Sequence, residues 1–129
     1  MKNLRSIWLL LLIIPFALSD CSKQKEISCS GTTSFKRDII PIFNANCALS
    51  GCHTGSSSQA GLRLDSAYAY YELNHDGYAL AGKPNYSIIY NQVLGTGGVP
   101  IMPPTPAAHL DHTLTDEIYC WIQEGALDN

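Results

Sequence analysis

The stretch NANCALSGCHTG, Asn44 to Gly55, places Cys47, Cys52 and His53 within one short segment, the histidine directly behind the second cysteine. Four residues, Ala48 to Gly51, separate the two thiols. Three reactive side chains so close together constrain the fold, because a firm element has to deliver them to one place. The residues ahead supply one. Phe35, Ile39, Ile42 and Phe43 recur at helical spacing, and Asn46 continues the stripe. Ser34 suits the N-cap, while Pro41 either begins the helix or kinks it. That helix delivers Cys47 and Cys52 from its C-terminal end. TGSSSQAG, which follows at 54–61, is a loop by composition.

Three further helices are expected downstream. A short one around Ala67 to Leu73 is broken by NHDG. The next lies in NYSIIYNQVL, where Asn85 can cap it and Ile89, Tyr90, Val93 and Leu94 form an apolar stripe. GTGG ends it, since glycine takes left-handed backbone positions without strain. VPIMPPTPAAHLDH has too many prolines for a helix or a central strand, so it is a stiff, ordered loop. Thr113 or Thr115 opens the last helix, with Asp116 and Glu117 at the positive end of its dipole. Ile118, Trp121 and Ile122 give that helix a core face, Tyr119 packs beside them, and Gly125 ends it. No segment alternates with period two, so the domain is mostly helical.

Residues 1–20 stand apart from this pattern. Lys2 and Arg5 precede an apolar run, Ile7 to Leu18, interrupted only by Pro15. The run is shorter than the roughly 20 residues that span a bilayer, and it reads as a secretory signal. ALSDC, with Leu18 three positions before Cys21, resembles a bacterial lipoprotein signal, although Asp20 stands where a small uncharged residue is usual. Acyl chains on Cys21 would anchor the chain, each buried methylene contributing ~0.8 kcal/mol. Ser22 behind that cysteine suits sorting to the outer membrane. The other reading is an ordinary export signal with Cys21 free or disulfide-bonded. The expected organisation is a signal peptide at 1–20, a polar tether at 21–33 and one compact domain at 34–129. Beyond the signal, six basic side chains face ten acidic ones. That balance offers no basic stripe for nucleic acid and favours a partner with a basic docking patch.

Five cysteines are an odd number for an exported chain. If Cys21 is lipidated and Cys47 and Cys52 serve the opening motif, Cys29 and Cys120 remain, and an oxidising compartment favours their pairing. A Cys47–Cys52 bridge beside an idle histidine is the rival arrangement. A zinc site is a third, but adjacent Cys52 and His53 chelate one small ion poorly, and no second ligand pair of the usual spacing occurs.

Covalent haem attachment fits the motif in another way. Two cysteine thiols form thioether bonds to the haem, and the histidine beside the second is aimed at the iron. Past the signal the chain has a single methionine, Met102, in the proline-stiffened VPIMPP. A lone methionine in such a loop is less easily core filler than one on a helix, and a thioether paired with histidine raises the reduction potential. His75, His109 and His112 are expected on the surface or in loops, the last two also being alternative distal ligands.

The ordered set CALSGCH, GLRLD, IMPP and DEIYCWIQEGA, with PNYSIIY between the second and third, resembles the small c-type cytochromes of exported bacterial proteins. The resemblance runs from Phe35 to Leu127, and the four-residue gap between thiols is its one departure from the usual two. It implies an all-α, cytochrome c-like fold of three to four helices around one covalent haem c. It implies that Cys47 and Cys52 attach the haem and that His53 and Met102 ligate the iron. Arg63, in LRLD, suits a haem propionate, or else is a solvated loop residue. The function that follows is a monohaem lipoprotein carrying single electrons between redox proteins in the cell envelope, not an enzyme. Two alternatives stand beside it: a haem protein with an open or displaceable distal site for sensing or peroxide chemistry, and a haem-free, disulfide-bonded binding lipoprotein.

Overall fold

Ser34 starts the first helix by a reciprocal cap. Its Oγ accepts from the Arg37 amide at 3.2 Å, and its own amide donates to Asp38 Oδ2 at 2.8 Å. The Arg37 guanidinium, and then this amide, hold the Asp38 carboxyl below the usual carboxylate range. In this computed structural model, which describes residues 26–29, 31–65, 68–104, 107 and 109–129, the first turn is wide. Phe35–Ile39 is π-helical and runs directly into α1, Ile40–Asn46. Pro41 falls in the first turn of α1, where a missing N–H costs least, so it begins the α-helix and bends nothing. The expected signal peptide and Cys21 lie outside the described residues.

Three more helices follow: α2 at Ala69–His75, α3 at Ile88–Leu94 and α4 at His112–Gln123. Single 3₁₀ turns occur at Gln59–Gly61, inside the expected loop, and at Pro84–Tyr86. No strand occurs among the described residues, and none of their helices is long and apolar enough to cross a membrane. The architecture is all-α.

Two helix starts differ from expectation. Asn85 does not cap α3; it lies inside the Pro84–Tyr86 turn, which closes when the Ser87 amide donates to the Pro84 carbonyl at 2.9 Å. Ser87 then occupies the cap position, but its hydroxyl donates to the Lys83 carbonyl and accepts from the Leu80 amide. For α4 the cap is Asp111, ahead of both expected threonines, with Oδ1 accepting from the Thr113 amide at 2.8 Å. That amide, and then the Thr113 hydroxyl, hold the Asp111 carboxyl below the usual range. A carboxylate whose native pKa is depressed stabilises the fold above its unfolded pKa and loses that contribution as pH falls through the native one. Asp111→Ala is therefore expected to lower the urea midpoint at neutral pH, with the gap to wild type narrowing below about pH 4.

The core forms where α4 crosses the first helix. Ile118, Trp121 and Ile122 lie on one face of α4 and are buried, as are Phe35, Ile39, Ile42 and Phe43. Phe35 is the hub, its ring centroid 5.0 Å from Trp121, 5.3 Å from Tyr70 and 6.5 Å from Phe43. Trp121 also satisfies its indole N–H on the Leu127 carbonyl at 2.9 Å. Tyr119 packs edge-on against Tyr90 of α3. Of the expected α3 stripe, Ile89, Tyr90 and Val93 are buried and Leu94 is exposed. Cys29 is bonded to Cys120, tying the segment ahead of the first helix to α4 across 91 residues. The chain returns to the same place at its far end, where Asn129 accepts from the Phe35 and Lys36 amides.

Candidate functional site

The π turn and α1 deliver the cysteine motif from the core. At the end of α1 the amides of Cys47 and Ala48 both return to the Phe43 carbonyl, each at 2.8 Å. The chain then turns back on itself: the Cys52 amide donates to the Leu49 carbonyl, and the His53 amide donates to the Cys47 carbonyl at 3.1 Å. Gly51, with a φ of 79°, makes the corner. The four-residue gap is thus a closed loop that brings the His53 amide back to the Cys47 carbonyl. Gln59 braces it from outside, its amide donating to the Cys52 carbonyl and its side chain to that of Gly51.

His53 is clamped by the segment that follows. Its Nδ1 lies 3.0 Å from the Leu62 carbonyl, and its own carbonyl accepts from the Leu64 amide at 2.8 Å. A carbonyl oxygen has no proton to give, so Nδ1 is the donor. The lone pair of the neutral ring is then on Nε2, the arrangement in which a histidine is oriented for a metal.

A cavity of about 330 Å³ opens on this corner, lined by Cys47, Cys52, His53 and Met102 together with Asn46, Gly51, Gln59, Pro103 and Pro104. Cys47 and Cys52 are both free thiols. Burial first, and then the neighbouring Cys52, push the Cys47 thiol up to about 11, so it stands protonated. Met102 comes from the proline loop more than forty residues away, held where its amide donates to the Gln92 carbonyl at 2.8 Å. The fold therefore brings four of the expected site residues to one place.

The others lie elsewhere. His75 is exposed and stacks on Tyr71; His109 and His112 are exposed and do not line this cavity. His112 instead borders a larger, open concavity of about 720 Å³ between α4, the π turn and residues 26–28 and 31–33, none of them in the cysteine motif. No cluster of three or more histidine, cysteine, aspartate or glutamate residues fit for a metal ion occurs among the described residues. Arg63 is outside the cavity lining too, but it is not a solvated loop residue. Its guanidinium sits 3.1 Å over the Tyr68 ring, and its buried Nε has no hydrogen-bond partner, Asp65 Oδ2 being 3.9 Å away.

These residues fit haem c. Two unjoined thiols, an imidazole with Nε2 available and a thioether surround one mostly apolar cavity, which is the donor set the group requires. The unpartnered Arg63 Nε, between the two residues that hold His53, is a cation suited to a carboxylate. Motif reading missed the Leu62 carbonyl and the bracing role of Gln59. Neither leaves a mark in side-chain type, since one contact is made by backbone and the other is local to a loop.

Residues 50–106 match the family described as Planctomycete cytochrome C, a span that includes Cys52, His53 and Met102 and starts just after Cys47. No curated protein and no solved structure gives a match to the chain. The cytochrome c family implies covalently bound haem c. The match at residues 50–106, the four α-helices among the described residues and the cysteine, histidine and methionine side chains gathered on one cavity support a cytochrome c-like domain.

Proposed function

We propose that the domain is a monohaem electron carrier of the cell envelope, with His53 and Met102 as the iron ligands. The observation that carries this reading is the convergence of Cys47, Cys52, His53 and Met102 on one cavity. Bound there, haem c supplies an iron centre that takes up and returns one electron. Cys47 and Cys52 hold the group through thioether bonds. The Leu62 carbonyl fixes the His53 tautomer and keeps Nε2 toward the metal. Met102 contributes the second ligand, and its thioether favours the reduced state. Arg63 offsets propionate charge with its unpartnered Nε. Haem attachment would engage both thiols and ligation would engage His53, so the titratable side chains that line the cavity all serve to hold the group.

Residues 1–20 export the chain and lipid on Cys21 fastens it to a membrane facing the periplasm or cell surface; reach toward redox proteins comes from the residues between Cys21 and Cys29, because Cys29 is itself bonded to α4. The excess of acidic over basic side chains suits partners with a basic docking patch. The test is the intact mass and pyridine haemochrome spectrum of protein matured with haem-attachment machinery. One haem, with the signature of two thioethers, is expected, and Cys52→Ala should shift that signature to one thioether. A mature protein without haem would sink the reading.

A further inference from the structure

Gly95 ends α3 in the left-handed region, φ 66°, with its amide donating to the Gln92 carbonyl. As a cap this position would accept asparagine nearly as well as glycine. Space is a second and stricter demand. A Cβ at 95 would lie 2.9 Å from Ile101 Cδ1, 3.1 Å from its Cβ and 3.2 Å from its Cγ1. The far methyl could swing aside, but Ile101 Cβ is one bond from the backbone, and a β-branched side chain has little χ1 freedom. Relief therefore requires the backbone at Ile101 to move.

The next residue is Met102, whose amide is fixed to the Gln92 carbonyl, the acceptor that Gly95 also uses. α3 cannot yield instead. Asn91 locks its two ends together, with Nδ2 donating to the Asn85 and Ser87 carbonyls and Oδ1 accepting from the Thr96 hydroxyl. Gly97 is packed as tightly on that same side chain, a Cβ there meeting Asn91 Cγ at 3.0 Å. We infer that Gly95 is a positioning residue for Met102: the bare backbone at 95 seats Ile101 against the end of α3 and thereby sets how far the thioether reaches into the cavity. The inference rests on Met102 being an iron ligand, as proposed above.

Competition by free imidazole for the oxidised, haem-loaded protein reads the strength of thioether ligation. Gly95→Asn keeps the left-handed cap and adds the Cβ; it should tighten apparent imidazole binding about tenfold, because an overpacked loop holds the ligand in place less of the time. Adding Ile101→Ala to that variant removes the side chain it strikes and should return binding most of the way to wild type. Unchanged binding in Gly95→Asn, or no return in the double variant, overturns the inference. Should Gly95→Asn fail to fold, Ile101→Phe enlarges the same contact from the other side and leaves the cap alone; it should tighten imidazole binding too, and wild-type affinity there overturns the inference. Met102→Ala separates the two levels. If it binds imidazole as wild type does, Met102 is not a ligand and the proposed ligation fails, taking the inference with it. If it binds more tightly while the Gly95 and Ile101 variants do not, only the positioning role fails.

Discussion

Replacing Met102 with alanine should lower the reduction potential by at least the ~59 mV that corresponds to a tenfold change in a one-electron equilibrium. The direction follows from the donor. A thioether is a soft, weakly basic ligand that stabilises the reduced metal, and water or a nitrogen base in its place stabilises the oxidised one. The iron–sulfur charge-transfer band of the oxidised protein should vanish in the same variant. Redox titration and the red end of the absorption spectrum check both. A band that survived the substitution would mean that Met102 is only packed at the cavity, as methionines often are. The histidines are poor substitutes in this fold, since His109 and His112 are exposed and do not line the cavity.

The second large effect concerns the bridge. Cys29→Ser combined with Cys120→Ser should cost about 4.6 kcal/mol of stability, the chain-entropy value for a closed loop of this length. Urea unfolding measures it as a lower midpoint. For a small domain that is a large share of the whole, since such folds are stable by only ~5–15 kcal/mol. Haem attachment should survive at low temperature, because neither cysteine lies at the cavity. A change of less than about 1 kcal/mol would show that the bridge does not constrain the unfolded chain as the entropy argument requires.

The core was legible because burial writes itself into spacing. Phe35, Ile39, Ile42 and Phe43 on the first helix, and Ile118, Trp121 and Ile122 on the last, recur every three or four residues, and all are buried. Helix ends were legible where one residue type has a single use, as with Ser34, Gly95 and Gly125. They were not where candidates crowd. Asp111, Thr113 and Thr115 can each cap a helix, and residue type alone does not single out Asp111, which does so. Asn85 failed as a cap because Pro84 spends three residues on a tight turn first, and a turn of that length has no periodic signature. At the site, cysteine, histidine and methionine announced themselves by type. The Leu62 carbonyl that orients His53 and the contact between Gly95 and Ile101 did not, since backbone oxygens and missing atoms carry no letter of their own.

The Cys29–Cys120 bond also sets how the domain bears a mechanical load. Tension applied to the chain ahead of Cys29 passes through the sulfur bridge into α4, whose Ile118, Trp121 and Ile122 are seated in the core. The alternative route, along the backbone through the π turn and α1, runs straight to Cys47 and is short-circuited by the covalent link. A pull from that side is therefore borne by α4, and the segment that leads to Cys47 lies off the loaded path.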